Sequence, residues 1–335
     1  MRLVQLLSPS KERKVALVSG EKLHLLNIFT SVYDLVNQAM DTKKSMKELV
    51  ELSLSGQKLN YEEVWAGKTA WQWLPCFDHP TDVNKCMVAG TGLTHKASAE
   101  NRDKMNAAAD AGTQTDSMKM YFMGEEGGKP GEGKVGTQPE WFYKGNGTVL
   151  KGHLEPLDIP NYALDGGEEP EIAGIYVINK NGEPVRVGFA TGNEYSDHVM
   201  EKINYLYLAP SKIRTCSIGP ELVIDENIFN DLRGMVTVKK GDKVLWEKEV
   251  KTGEANMAHS LENLEYHHFK YDNHRVPGQV HIHFFGTGAF SYGEGIKLEQ
   301  DDTMVLDWPQ MGKALINPIK HDESTEKQIK VLSLK

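Results

Sequence analysis

The sequence predicts an α+β protein in which β-structure dominates. Residues 86–335 contain many short apolar runs separated by glycine and proline, for example IAGIYVI (172–178) and VRVGFAT (185–191). Many short strands with turn residues between them are typical of a β-sandwich or a barrel-like core. Helix-like stretches are few in this part of the chain and cover 97–111 and 255–271. We therefore expect a mostly β domain here.

Residues 1–85 predict a smaller α+β lobe. The apolar runs RLVQLL (2–7) and KVALVSG (14–20) predict a pair of strands that form a hairpin. Amphipathic spacing over 28–40 and 45–54 predicts two short helices after it. The chain is thus expected to consist of a small N-terminal lobe (1–85) and a larger domain (86–335).

The composition excludes some classes of protein. The chain carries a net charge of −9, whereas binding to nucleic-acid phosphates needs clustered lysine and arginine. The three cysteines have neither CxxC spacing nor an even count, which argues against a disulfide framework or a zinc knuckle. No apolar stretch approaches the roughly 18 residues of a membrane span. We expect a soluble protein of the reducing cytoplasm.

Three glutamates flank a predicted hairpin. Residues two apart in a strand point to the same side, so Glu169 and Glu171 share a face, and Pro170 between them fits a strand start or a sheet edge. The turn NKNGEPV (179–185) reverses the chain, so Glu194 can approach the pair from the returning strand. Three carboxylates at one place would select Mg²⁺, Mn²⁺ or Ca²⁺. The alternative is a solvated acidic surface.

Seven segments resemble, in order, motifs of the fumarylacetoacetate hydrolase superfamily. One such motif is weak, but the shared order from residue 84 to residue 319 is specific, and the pattern is most similar to the GguC-type branch, which is associated with pentose and sugar-acid catabolism. The segments are NKCMVAGTGLTHKASAE (84–100), PEWFYKGNGTVLKGHLEPLDIP (139–160), EEPEIAGIYVI (168–178), GFATGNEYSDHV (188–199), SKIRTCSIGPELV (211–223), VPGQVHIHFFGTG (276–288) and GKALINPI (312–319).

The resemblance implies a fold, a metal and a substrate class. The fold would be a mixed β-sandwich roll behind a small N-terminal lobe, and the assembly would be a homodimer. Glu169, Glu171 and Glu194 would hold Mg²⁺ or Mn²⁺, although the family has an aspartate where Glu194 stands. The substrate would carry a 2-keto acid or a 1,3-diketone group.

The resemblance also assigns catalytic residues. His95 falls on a histidine that pairs with a carboxylate in the family to activate water or move a proton. Where the family has that carboxylate this chain has Ser98, so either Glu100 replaces it or the pair is absent. Lys212 matches a lysine that stabilises developing negative charge.

Four further residues match substrate-binding positions. Lys144 lies in the FYKG stretch, and Gly286 and Thr287 lie in FGTG, where the family threonine holds a substrate carboxylate. His198 stands where the family has an arginine. Because an imidazole cannot form the bidentate fork of a guanidinium, the substrate group held at this position should differ.

Two reactions fit this set of residues. A 2-keto acid chelated to a cation has a polarised keto group, which makes its C3 protons removable. A hydroxyl on C4 would then leave as water, as in a 2-keto-3-deoxy sugar acid dehydratase. A ketone on C4 would instead be attacked by water, as in an acylpyruvate or diketo-acid hydrolase. Ser98 favours the dehydratase, and a ligand-binding homologue without catalysis is the third alternative.

Two features outside this site keep alternatives open. His281 and His283 share one strand face, which suits a transition metal, but packing beside the substrate pocket is favoured. The glycine-rich segment 124–140 is either a lid or a surface insertion, and the insertion is favoured.

Overall fold

The computed structural model describes residues 1–97, 99–100 and 115–334. Most of the predicted helix 97–111, together with Ser98, lies outside the described residues. None of the described helices combines the length and the apolar character needed to cross a bilayer.

The described residues form seventeen strands and seven α-helices. The strands are β1 (Arg2–Leu7), β2 (Arg13–Ser19), β3 (Lys22–Leu26), β4 (Leu54–Asn60), β5 (Gln72–Trp73), β6 (Cys86–Gly90), β7 (Phe142–Asn146), β8 (Leu150–Lys151), β9 (Leu157–Ile159), β10 (Pro170–Ile178), β11 (Pro184–Asn193), β12 (Cys216–Val223), β13 (Leu232–Lys240), β14 (Lys243–Thr252), β15 (Val280–Phe284), β16 (Thr303–Asp307) and β17 (Leu315–His321). The helices are α1 (Val32–Thr42), α2 (Met46–Leu52), α3 (Tyr61–Trp65), α4 (Asp116–Gly127), α5 (His198–Ile203), α6 (Leu208–Lys212) and α7 (Leu261–Phe269).

The strands form two mixed sheets. The larger sheet has the order β4-β3-β2-β1-β12-β11-β10-β15-β6-β7, with β5 on β1 and β8 on β12. The smaller sheet has the order β14-β13-β16-β17-β9. Most neighbours are antiparallel, and β15 with β6, β12 with β8 and β17 with β9 are parallel. The predicted α+β fold with dominant β-structure is confirmed.

The two faces of the larger sheet explain the apolar pattern of β10. Ile172 and Tyr176 face one buried cluster, which they share with strands of the smaller sheet and with α7. Ala173 and Ile175 face a second cluster, which includes side chains of α1 and α2. Because both faces are covered, every residue of β10 is buried.

The N-terminal strands extend the larger sheet. The predicted hairpin is the antiparallel pair β1–β2, and the two predicted helices are α1 and α2. Strand β1 also pairs with β12, with Arg2 opposite Val223. Strands from both sides of residue 85 therefore belong to one sheet, and the division into two domains at this residue stays a prediction.

The glycine-rich segment is bound to α7. Helix α4 ends within it at Gly127, and Gly136 N then donates a hydrogen bond to Asn263 Oδ1 over 3.0 Å. The Asn263 amide in turn donates to the carbonyl of Thr137 over 2.9 Å. These contacts favour a fixed surface insertion over a lid.

Candidate active site

The three glutamates converge at the start of the β10–β11 hairpin. Pro170 pairs with Asn193 and Glu194 N donates to the carbonyl of Glu169 over 2.9 Å, which places Glu194 beside the pair on β10. One carboxylate oxygen from each of Glu169, Glu171 and Glu194 lies within 4.8 Å of the others, and all three residues are buried. This buried cluster contradicts a solvated acidic surface.

Two buried lysines contact the three-glutamate cluster. Lys212 Nζ donates to Glu169 Oε1 over 2.6 Å and to Glu194 Oε2 over 2.7 Å. Lys144 Nζ donates to the other oxygen of Glu194, to the carbonyl of Tyr195 over 3.0 Å and to the carbonyl of Lys212 over 2.9 Å. Each of the three N–H groups of Lys144 thus has a protein acceptor, which favours a role in fixing Glu194 over direct contact with a substrate.

His198 reaches the cluster from the first turn of α5. Its Nε2 atom lies 3.0 Å from Glu169 Oε1. Asp197 caps this helix by accepting a hydrogen bond from Met200 N, which fixes the position of His198 at the first helical residue.

The segment after β15 closes another side of the cluster. Gly286 N donates to Glu171 Oε2 over 2.7 Å. Thr287 is buried, and its hydroxyl donates to the carbonyl of Ala289 over 2.7 Å in a tight turn. Gly286 therefore touches a predicted metal ligand directly, and Thr287 shapes the loop that carries this contact.

His95 is buried beside the same loop. Thr94 Oγ1 donates to the carbonyl of Phe285 over 2.7 Å, so it accepts from His95 Nδ1–H over 2.9 Å. The lone pair on His95 Nε2 then faces Thr252 Oγ1 at 3.2 Å. In this neutral tautomer, Nε2 can accept a proton.

Glu100 is not brought to His95. The two residues are five positions apart, and the chain between them is helical at 96–97 and 99–100, so their side chains point in different directions. The Glu100 carboxylate is half exposed and lies 3.8 Å from Lys96 Nζ. The predicted pairing of His95 with Glu100 is therefore not seen among the described contacts.

Burial and charge set the protonation of the cluster. Burial, together with the charges of Glu194 and Glu169, raises the pKa of Glu171 well above its ordinary value. Burial alone would raise the pKa of Glu169, but Lys212 and His198 outweigh it and hold that pKa well below the ordinary value. Burial also raises the pKa of Glu194, against the lowering effect of Lys144 and Lys212. The cluster has three carboxylates but only two ammonium groups to balance their charge. Among the described residues Glu171 is the carboxylate without a lysine partner, and its pKa is raised by the charges of the other two.

This arrangement fits a hard divalent cation. The donor atoms are carboxylate oxygens, the ligands that Mg²⁺ and Mn²⁺ take in proteins. A cation would also remove the repulsion that raises the pKa of Glu171. The predicted magnesium site therefore agrees with the chemistry and the charges of the residues present.

Several contacting residues were missed by the sequence argument. Ser196 Oγ donates to Glu194 Oε2 over 2.9 Å and accepts from Lys212, whose Nζ lies 4.8 Å from the ring centre of Phe142. Ser196 is two residues after Glu194, and Phe142 is two residues before Lys144 on β7. The period of two on β7 is the signal that could have found Phe142. Ser196 lies beyond the end of β11, where Tyr195 has a φ of +52°, so no strand period indicates it.

The two strand histidines take part in a separate buried network. His281 Nδ1 lies 2.9 Å from His268 Nε2 on α7, and His283 Nε2 lies 2.7 Å from Thr91 Oγ1. Among the described residues, the group with metal-binding geometry is the three-glutamate cluster. The packing interpretation of His281 and His283 is therefore favoured over a transition-metal site.

The mostly β fold is shared by solved structures of other proteins. No family model matches the sequence, and the fold is shown by solved structures. The structure of 2-keto-3-deoxy-D-arabinonate dehydratase complexed with magnesium and 2,5-dioxopentanoate has a TM-score of 0.71 at 19% identity, over 97% of this chain and 100% of that one. Maleylpyruvate hydrolase from Sphingobium sp. SYK-6 has a TM-score of 0.59 at 11% identity, over 96% and 100%.

The sequence is also similar to that of a protein described as a sugar-acid dehydratase. The chain is 26% identical over 189 residues to a probable 2-keto-3-deoxyxylonate dehydratase of Haloferax volcanii. This match covers 55% of the present chain and 56% of that relative, so the similarity spans about half the length of each.

Proposed function

We propose that this protein is a divalent-metal-dependent enzyme that removes water from a 2-keto-3-deoxy sugar acid, in the first place a pentonate. The observation that carries the proposal is the buried cluster of Glu169, Glu171 and Glu194 with Lys144 and Lys212. The similarity to a probable 2-keto-3-deoxyxylonate dehydratase supports the choice of reaction.

The three glutamates would hold Mg²⁺ or Mn²⁺. The bound ion would polarise the 2-keto group of the substrate and so make a C3 proton easier to remove. Lys212 donates to Glu169, Glu194 and Ser196 in the metal-free protein. Once the ion shares the charge of the glutamates, one of these N–H groups would turn to negative charge that develops away from the ion, and Lys144 would keep Glu194 in place. Gly286 N–H orients Glu171.

His95 is the proposed base in this reaction. Burial lowers its pKa to about 4, so the imidazole is neutral at physiological pH but a weak base. Its Nε2 atom would take the C3 proton because the bound ion makes that proton more acidic. The hydroxyl on C4 would leave with the C3 proton as one water molecule, which leaves a double bond between C3 and C4. Transfer of a proton from C5 to C3 would move this double bond to C4–C5, and the resulting enol would tautomerise to an aldehyde at C5. Thr287 and His198 are proposed to contact the substrate.

A diketo-acid hydrolase is the alternative, because maleylpyruvate hydrolase shares the fold. Hydrolysis of this type needs a base that activates water. The ring nitrogens of His95 contact two threonine hydroxyls rather than a carboxylate that would make the imidazole a stronger base. This environment favours the dehydratase. The cytoplasmic location and the homodimer are also proposals, and light scattering tests the second.

The deciding experiment is an assay of the purified protein with Mg²⁺ on 2-keto-3-deoxy-pentonates and acylpyruvates, beside Glu171→Gln. We expect an aldehyde product from a pentonate, and a loss of at least about 100-fold in the variant because an amide supplies no anionic ligand. Glu299→Gln makes the same change at an exposed residue and should keep full activity. Pyruvate from an acylpyruvate would establish the hydrolase. Mg²⁺ binding without turnover of either class would favour the inactive homologue.

A further inference from the structure

The loop that follows β15 is tied to the start of β10 at two points. Gly286 N at its beginning donates to Glu171, as described above. Five residues later, Ser291 donates twice to Glu168, from N to Oε1 over 2.6 Å and from Oγ to Oε2 over 2.9 Å. Both carboxylate oxygens of the fully buried Glu168 are thus engaged by one serine.

The second attachment places two aromatic rings on His198. Phe290 and Tyr292 flank Ser291, and their ring centres lie 4.8 and 5.1 Å from that of the imidazole. The interplanar angles are 12° and 24°, so both rings are stacked on it. The imidazole also packs closely against the backbone of Gly167. A Cβ added to this glycine would lie only 2.5 Å from His198 Nδ1.

The two aromatic rings hold the His198 imidazole, which makes one polar contact with the three-glutamate cluster. His198 Nε2 lies 3.0 Å from Glu169 Oε1, the atom that also accepts from Lys212. His198 Nδ1 is buried and has no hydrogen-bond partner among the described residues. The imidazole is therefore oriented by the packing of Phe290 and Tyr292 and not by a second hydrogen bond.

We propose that Glu168 is a positioning residue: through Ser291 it holds Phe290 and Tyr292 on His198 and so keeps His198 Nε2 on Glu169. A carboxylate is an expensive choice for a buried loop anchor, since burying it costs free energy that neutral groups avoid. The two charge-assisted bonds from Ser291 offset this cost and fix the loop more rigidly than neutral bonds would. The effect on catalysis rests on the proposed function, whereas the placement of His198 does not.

The test of placement uses metal-free protein with ¹⁵N-labelled histidine. In the unchanged protein we expect a slowly exchanging, downfield Nε2 proton from His198, identified by its absence in His198→Asn. Glu168→Met removes both acceptors at similar volume and should abolish this signal. Ser291→Ala removes one of the two bonds and should speed its exchange with water by about tenfold, while Ser291→Thr, which keeps the hydroxyl, should restore it.

A matched control separates positioning from general loss of stability. Glu221 is also a buried glutamate, bonded to Tyr61 and the backbone of Lys313 in another part of the larger sheet. Glu221→Met should lower the thermal unfolding temperature but leave the His198 signal unchanged. An unchanged signal in folded Glu168→Met overturns the proposal. If that variant does not fold, unchanged exchange in Ser291→Ala overturns it equally.

Catalysis and metal binding give a second, independent measurement. Loss of such a supporting contact typically costs about 10- to 100-fold in metal affinity or rate, and we expect kcat/KM to fall within this range in Ser291→Ala. The substitution His198→Asn should add little to Glu168→Met, because both remove the same contact. If no dehydratase activity exists, the histidine signal and Mg²⁺ calorimetry still decide the proposal.

Discussion

Lys212 is the residue on which the charge balance of the carboxylate cluster depends most. Its Nζ contacts Glu169 and Glu194 directly and lies 3.3 Å from Glu201 Oε1. Lys212→Met keeps the apolar stem but leaves these buried carboxylates without a shared cation. We expect the variant to lose about 3 to 5 kcal/mol of unfolding free energy in EDTA. Mg²⁺ should raise its unfolding temperature more than that of the unchanged protein.

Calorimetric unfolding in EDTA and in MgCl₂ measures both effects. Lys240→Met is the control, because Lys240 forms an exposed pair with Glu299 and its loss should leave the unfolding temperature almost unchanged. An unchanged unfolding temperature for Lys212→Met in EDTA would show that the carboxylates do not need this cation.

At the scale of elements, the turn after β15 depends on a glycine. Gly286 has φ +95°, and a Cβ there would lie 2.0 Å from Thr94 Oγ1. Gly295 has a similar φ of +83° but nothing within 4 Å of the added atom. Gly295→Ala should therefore cost about 1 kcal/mol from backbone strain alone. Gly286→Ala should cost more than about 3 kcal/mol, because the clash adds to the strain.

Gly286→Ala should also weaken Mg²⁺ binding, because the shifted backbone no longer donates to Glu171 Oε2. Thermal unfolding and Mg²⁺ calorimetry on both variants check this pair of expectations. Equal losses in the two variants would mean that the close approach to Thr94 has no energetic role.

The β10–β11 hairpin shows what the sequence could predict. The period of two in EPEIAGIYVI and the turn at 179–185 are local signals, and they placed Glu169, Glu171 and Glu194 together correctly. The fold class followed from short strands and motif order. Lys212 and Lys144 were found through the resemblance and not through any local pattern.

Contacts between distant segments could not be predicted in this way. Glu168 and Ser291 are 123 positions apart, and nothing in the spacing of either segment indicates that they meet. The stack of Phe290 and Tyr292 on His198 also depends on how a loop crosses the end of β10. Glu100 was taken from the family motif, in which it lies two residues after the expected carboxylate, and its pairing with His95 stays a prediction.

For the whole molecule, residues 1–85 and the rest of the chain share one sheet. Removal of residues 1–85 would expose one edge of β12, which pairs with β1, and would uncover the apolar face that α1 and α2 protect. We expect the fragment 86–335 to lack a cooperative unfolding transition and a near-ultraviolet circular dichroism signal. A fragment that unfolds cooperatively would instead establish residue 85 as a domain boundary.

Acid stability is governed by buried histidines throughout the molecule. In the described part of the chain, burial lowers the pKa of His95, His153 and His259 to about 4 and that of His281 and His283 to about 3. In the unfolded chain a histidine has a pKa of about 6.5. Below that value unfolding takes up protons, so the free energy of unfolding falls as the pH falls from about 6.5 toward 4.

Several buried glutamates change the stability of the protein with pH in the opposite direction. Burial raises the pKa of Glu168, Glu171 and Glu194, so the folded protein binds their protons more tightly than the unfolded chain, and this part of the stability grows as the pH falls. Three more histidines have a lowered pKa and three more carboxyl groups a raised one, so among the described residues eight such histidines outnumber six such carboxyl groups. The added groups are His79, His267, His268, Asp165, Glu265 and Asp307. The net expectation is a fall in unfolding temperature between pH 7 and pH 5, with proton uptake on unfolding.

Calorimetry of the metal-free protein in two buffers of different ionisation enthalpy measures this uptake. His153 is the clearest single contributor, because its Nε2–H donates to the carbonyl of Trp65 and its Nδ1 accepts from Ile316 N, so a second ring proton would break the latter bond. His153→Gln should lower the uptake near pH 5.5 by about one proton. His321→Gln, at an exposed position, should leave it unchanged. An unfolding temperature that stays constant from pH 7 to pH 5 would mean that the buried imidazoles are solvated more than their packing indicates.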